Sequence, residues 1–271
     1  MRYDIKTPAL TFEPIKVDED YVFGGGLSIL PKVILQPDHN WLTWLPQEER
    51  QAPNFETYAC VSETTTNIEE ILEKRLFGNT INDSARFLAS ISGTKVGGNS
   101  PHTVMEFRRK LGAIPEELYP TNEAESFEQY YQRVAPKLYE EARKRLSKRG
   151  FGHEYVPTSP EALYDALQFS PLGVSVYAWV EDNGWYVKPD GVTDTHLTTL
   201  AYGKKGEYWN VFDTYAPFIK KLPWDYKFSV AKRISLAQIE GELKDPVTIL
   251  TTLRWLFDYL KIPYGKIKGT H

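Results

Sequence analysis

Cysteine is almost missing from this chain: Cys60 is the single one in 271 residues. One thiol cannot close an intramolecular disulfide, so packing must hold the fold, and the cytoplasm or another reducing interior, including that of a larger particle, is the expected compartment. An excess of charge of either sign is missing too, since 32 Lys and Arg face 36 Asp and Glu for a net charge of −4. That leaves no basic face for a phosphate backbone, and nucleic acid is not an expected partner. No apolar run approaches the roughly 20 residues that span a bilayer, and the start, Met1 to Pro14, lacks the basic-then-apolar layout of a signal peptide. Neither membrane insertion nor secretion is expected. The spacings His-x-x-x-His, Cys-x-x-Cys and Asp-x-Asp-x-Asp do not occur, so no metal or other cofactor is expected. Gly24-Gly25-Gly26 precedes no Lys-Ser/Thr pair and reads as a flexible turn rather than a phosphate loop.

What the chain does have is 41% hydrophobic and 14% aromatic residues, enough for a sizeable core. Residues 1–53 read as irregular, with Trp41, Leu42, Trp44 and Leu45 packing an extended arm onto a body. A helix follows from about Ser62, with Ile68, Ile71, Leu72 and Leu76 on one stripe and Glu69, Glu70, Glu73 and Lys74 on the other side. The Thr64-Thr65-Thr66 run weakens its first turn. Ser100 caps a second helix with Pro101 at its first position, and Gly112 ends it. A third spans about Glu123 to Arg149, broken near Pro136, with a solvated charged tail from Glu140 to Lys148. Ser159-Pro160 opens a short fourth helix through Leu167. Strand signals then fill Leu172–Trp179, Trp185–Val187, His196–Tyr202, Tyr208–Asp213 and Tyr226–Ile234. Helices first and strands afterwards predict an α+β protein with a helical half packed on an antiparallel half.

Cys60 stands at or just before a helix start, where free N–H groups and the helix dipole favour a thiolate. His196 opens one expected strand and Asp213 closes the next. If those strands are antiparallel neighbours, the carboxylate orients the imidazole, and a thiol, an imidazole and a carboxylate suffice for acyl transfer. A buried, inert cysteine and two polar strand ends are the plain alternative. His39 and His153 read as exposed, and His102 as bordering any groove.

These residues resemble, in order along the chain, the papain-like cysteine peptidases. Asn54 to Cys60 and the helix after it look like the family's nucleophile segment. Cys60 and His196 lie 136 residues apart (196 − 60), inside the family's range of roughly 130 to 150. Gly97-Gly98 resembles the glycine pair of its substrate strand, and Gly112 to Pro120 its "G-I … YPY" stretch. Pro160–Leu167 with Gly173–Tyr177 looks like the helix and strand leading to the S2 pocket. His196 with Ala201-Tyr202-Gly203 is similar to "H-A-V … V-G-Y-G", and Trp209 to Tyr215 to "W…K-N-S-W". Four positions depart: Asn54 stands for glutamine, Val61 for an aromatic, Asp213 for asparagine and Tyr215 for the shielding tryptophan. With one cysteine the family's disulfide cluster cannot form, and the stretch before Asn54 is too short for its long pro-segment, so activation by removal of one is not expected.

The resemblance implies a papain-like domain over 40–235, its helical half about 54–168 and its β half about 169–235, with the active-site cleft between them. An arm, 1–39, would precede it and an apolar helical extension, 236–271, would follow. It further implies a peptidase in which Cys60 is the nucleophile, His196 the proton carrier and Asp213 its orienting group. Asn54 and the Cys60 N–H would hold the oxyanion, Gly97 and Gly98 would pair with an extended peptide or protein substrate, and Tyr177, Leu197 and Tyr215 would border it. Tyr177 and Leu197 suggest an apolar or aromatic P2 residue. The rival is an inactive papain-like module with a structural or binding role. Transglutaminase-type acyl transfer uses the same residue types but is expected to place its histidine nearer the cysteine. The apolar segment 246–261 would pack back on the domain or dock on another copy or a larger assembly.

Overall fold

The computed structural model describes residues 33–48, 51 and 55–238. The Gly24-Gly25-Gly26 turn, Asn54 and the 246–261 helix lie outside them. Besides three single-turn 3-10 helices, six α-helices and eight strands follow one another in the described part: α1 (Cys60–Phe77), α2 (Ala85–Ile91), α3 (Pro101–Leu111), α4 (Phe127–Tyr130), α5 (Pro136–Leu146), β1 (Arg149–Tyr155), α6 (Pro160–Leu167), β2 (Leu172–Val176), β3 (Val180–Asp182), β4 (Trp185–Val187), β5 (His196–Lys204), β6 (Tyr208–Phe212), β7 (Ile219–Pro223) and β8 (Ala231–Gln238).

The helix α1 is the axis of the molecule. Its apolar stripe, Ile68, Ile71, Leu72 and Leu76, enters the core shared with β2, β5 and β8, and burying each such side chain contributes about 2 kcal/mol. Its opposite flank meets α2 and α3 rather than solvent. Glu69, Glu70 and Glu73 are therefore buried, contrary to the two-sided pattern, and each carboxylate has found a partner. Glu69 accepts from Arg108 Nε at 2.6 Å, Glu73 from Arg149 Nε at 2.6 Å, and Glu70 from the Asp83 amide at 2.7 Å. The threonine run does not loosen the first turn. Thr65 and Thr66 donate back to the carbonyls of Val61 and Ser62, and Thr64 Oγ1 donates to Leu197 O on β5 at 3.0 Å. Gly78 ends the helix in the left-handed region, φ +69°.

Helices α2 and α3 cover that flank, and α5 packs on α3 and β1. Ser84 caps α2 by accepting from Phe87 N at 3.0 Å, a short element that the periodicity did not mark. Pro101 opens α3 and Gly112 closes it, as expected, although the Ser100 side chain makes no capping bond. The residues from Glu123 to Arg149 divide at Pro136 into α4 and α5, and the last of them already belongs to a strand. Arg145, within the supposedly solvated tail, turns inward to Asp83 and Glu69.

The sheet runs β1-β8-β2-β5-β6-β7, antiparallel at every pairing, and β3 with β4 forms a separate hairpin. Asn183 and Gly184, at φ +50° and +82°, supply its turn. The strand β1 has no alternating pattern because its buried positions carry charge: Glu154 lies opposite Arg233 of β8, with Nε to Oε1 at 2.5 Å. β8 starts later than the Tyr226–Ile234 signal, since Tyr226 and Phe228 occupy a turn whose amides bond Pro223 O and Tyr226 O. Trp41 is buried and donates to Leu167 O at 2.7 Å, while Leu42, Trp44 and Leu45 pack on the core beside it. His39 and His153 are buried, not exposed. His39 stacks on Tyr164 with centroids 3.6 Å apart, and His153 Nε2 meets Glu106 at 3.0 Å.

Candidate active site

Three short-range constraints bring the site together. Cys60 is the first residue of α1, after Ala59 at the N-cap, so the first-turn N–H groups surround it. The Thr64–Leu197 hydrogen bond fixes that turn against β5 one residue beyond His196. β5 pairs with β6 so that Thr199 lies opposite Phe212, which leaves His196 and Asp213 at the same end of the sheet.

His196 Nε2 lies 2.6 Å from Asp213 Oδ1. The other ring nitrogen is thereby left to Cys60, whose side chain hydrogen-bonds the imidazole. Burial by itself would lower the pKa of this histidine, but the Asp213 charge and hydrogen bond and the Cys60 contact outweigh it and raise it to about 10. Burial would likewise raise the Asp213 carboxyl; His196 and Lys220 together hold it well below the ordinary carboxylate range. At neutral pH the pair is imidazolium and carboxylate.

The remaining faces are closed by aromatic rings. Trp179, from the loop after β2, stands edge-on to the imidazole at 6.0 Å and donates Nε1–H to Asp213 Oδ2 at 2.8 Å. Tyr215 lies 5.5 Å from the imidazole on another side and donates its hydroxyl to Glu56 Oε2 at 2.9 Å. Glu56 in turn accepts from Gln51 Nε2 at 3.1 Å and from the Tyr58 amide at 2.7 Å. Gln51 also receives the Thr214 hydroxyl at 3.3 Å, so the chain before Cys60 is stitched to the chain after Asp213. Burial first, and then Glu56, push the Tyr215 hydroxyl well above its usual range.

Among the other expected site residues, Leu197 is buried in the same apolar cluster as Cys60. Tyr177 is half-buried and donates its amide to Tyr226 Oη at 2.9 Å. Gly97 and Gly98 form a tight turn ahead of α3 at φ +93° and +90°, with the Gly98 amide donating to Lys95 O at 2.8 Å. Asn54 falls outside the described residues. Sequence reasoning missed Trp179, Lys220, Glu56 and Gln51. Glu56 lies inside the Asn54–Cys60 segment, where nothing marked it, and the other three lie outside every motif that carries the resemblance. The lone hint was a lysine in the strand-like stretch Ile219-Lys220-Lys221-Leu222. Among the described residues no group of three or more His, Cys, Asp or Glu side chains could hold a metal ion, and no helix is long and apolar enough to cross a membrane.

No protein-family model matches the sequence, and no curated protein does either. Solved structures do match. Xylellain, a cysteine protease from Xylella fastidiosa, superposes with a TM-score of 0.59 at 16% identity over 85% of this chain and 96% of that one. The fold is papain-like. A Carica candamarcensis cysteine protease in complex with E-64 gives 0.56 at 14% identity over 72% and 96% of the two chains. Digestive procathepsin L 3 of the Tenebrio molitor larval midgut gives 0.55 at 15% over 72% and 68%. In this papain-like fold Trp179 reaches the Asp213 carboxylate from the loop after β2, and Tyr215, two residues after Asp213, lies beside the imidazole.

Proposed function

We propose that the chain is a cysteine hydrolase, and specifically a peptidase. The observation that carries this reading is the continuous run from Cys60, at a helix N-terminus, through His196 to Asp213. The Cys60 thiolate would attack a peptide carbonyl, with the charge developing on oxygen received by the Cys60 N–H and by the Asn54 amide. His196 gives its proton to the departing amine, leaving a thioester. It then removes a proton from water as that water displaces the thiol and releases the acid. Asp213 holds the imidazole in one tautomer and orientation throughout. The extended substrate would run along Gly97 and Gly98, with Tyr177, Leu197 and Tyr215 beside it. A lone thiol that must stay reduced to work supports a reducing interior.

Iodoacetamide or an epoxide should label Cys60 stoichiometrically at neutral pH, and His196→Ala should abolish the labelling. An inert thiol ends the peptidase reading. One observation favours a second reading, a papain-like binding module: Cys60 is 0% exposed. A protein that leaves Cys60 unlabelled while folded, and labels it only in urea, would be that module.

A further inference from the structure

At the start of β7 the usual order of inside and outside is reversed: Ile219 is 38% exposed, while Lys220 beside it is 1% exposed. An ammonium group is costly to bury, so something must hold it there. All three of its donors have acceptors: Asp213 Oδ2 at 2.8 Å, Pro217 O at 2.7 Å and Tyr215 O. Its charge also lies 4.9 Å from the Trp179 ring and 5.7 Å from that of Tyr186. Two of these partners, Asp213 and Tyr215, border His196, and Trp179 covers it.

We infer that Lys220 is a positioning residue of the Cys60–His196–Asp213 group, holding Asp213 Oδ2 so that Oδ1 faces the imidazole and giving the Asp213–Lys220 pair the net charge of a neutral amide. The inference rests on the reading of that group as catalytic. It explains why an aspartate is tolerated wholly buried here: His196 takes one oxygen, and Lys220 with Trp179 takes the other. The titratable and charged groups around the imidazole are Cys60 and Asp213, which act on it directly, Lys220 on the far oxygen of Asp213, and Tyr215, whose hydroxyl meets Glu56.

The test compares the wild type with Lys220→Met, Lys220→Arg, Asp213→Asn and the double variant Asp213→Asn/Lys220→Met. The His196 imidazole titration is followed by NMR, and thermal unfolding is measured on the same proteins. Removing the cation should raise the imidazole midpoint by about 1 pH unit in the double variant against Asp213→Asn, where losing the carboxylate brings the imidazole midpoint down and Lys220 is still charged; in Lys220→Met against wild type the rise should be smaller, because burial lowers the Lys220 pKa into the range where His196 titrates. Lys220→Arg should stay near the wild-type midpoint. The double variant should melt above Asp213→Asn by roughly 5 °C, because the lone substitution strands a buried ammonium. A midpoint unmoved in both backgrounds, or a double variant that melts below Asp213→Asn as two independent losses would add, overturns the assignment. If Lys220→Met does not fold, the double variant still carries both readouts. Neither depends on turnover, so a protein that cleaves nothing fails the peptidase reading while these values still decide the role of Lys220.

Discussion

The hydroxyl of Thr64, one turn into α1, donates to the carbonyl of Leu197 at 3.0 Å, and both atoms are buried. This bond joins the helix that begins at Cys60 to the strand that begins at His196. The thiol and the imidazole meet because these two elements are locked one turn and one residue away from them. Thr64→Val keeps the shape and removes the donor. It should destabilise the fold by about 1 to 2 kcal/mol in urea titration and slow Cys60 alkylation in the folded protein. An unchanged alkylation rate would mean that packing alone sets the register.

The buried imidazolium makes stability depend on pH in a stated direction. His196 titrates near 10 in the fold against an ordinary 6.5, so its contribution is fully present below about 6.5 and drains away as pH climbs to about 10. Asp213 is shifted the other way from 3.8: its contribution is present above that value and is lost as pH falls through the depressed folded value. Unfolding free energies from pH 6 to 10 should fall more steeply for wild type than for His196→Gln, by up to about 1.4 kcal/mol per pH unit. Parallel curves would show that the pair is not charged.

Trp179→Phe keeps a ring over the His196–Asp213 contact but removes the N–H that Asp213 Oδ2 accepts at 2.8 Å. A hydrogen bond to a charged group is worth about 1.5 to 3 kcal/mol, and a loss of that size is expected in chemical denaturation. His196 should also exchange its ring proton with water faster, as read by NMR.

Beneath α1, Glu69 and Arg108 are both wholly buried. Burial would raise the Glu69 pKa, but Arg108 and Arg145 outweigh it and lower it. Arg108→Met leaves Glu69 only Arg145, 3.6 Å away, and should cost about 3 kcal/mol, whereas Glu69→Leu/Arg108→Met should cost less than Arg108→Met alone. A double variant no more stable than the single one would contradict this.

Two helix-ending glycines separate strain from crowding. At Gly78, φ is +69° and a Cβ would meet nothing within 4 Å, so Gly78→Ala should cost about 1 kcal/mol. At Gly112, φ is +91° and a Cβ would sit 2.1 Å from Ala142 O, backbone that cannot swing aside. Gly112→Ala should cost several times as much in the same unfolding assay, on the order of 3 kcal/mol or more.

Elements whose residues follow the spacing of their own helix or strand can be read from the chain alone. The apolar stripe of α1, the Ser100-Pro101 and Ser159-Pro160 helix starts, the break at Pro136 and the pairing of β5 with β6 were all legible, because neighbouring residues carry those signals. So was the meeting of His196 with Asp213, which needs only adjacent strands. The rest emerges only in the folded molecule, since it turns on charge partners distant in the chain. Glu69 and Glu73 fall on the polar side of the α1 pattern, and nothing near Glu154 or Lys220 marks them for burial, yet all four are buried against Arg108, Arg149, Arg233 and Asp213. A buried charge is stable only beside its counter-charge, and that partner has no fixed place in the sequence. For the same reason the ring covering Asp213 comes from Trp179, 34 residues away, rather than from the position two residues on.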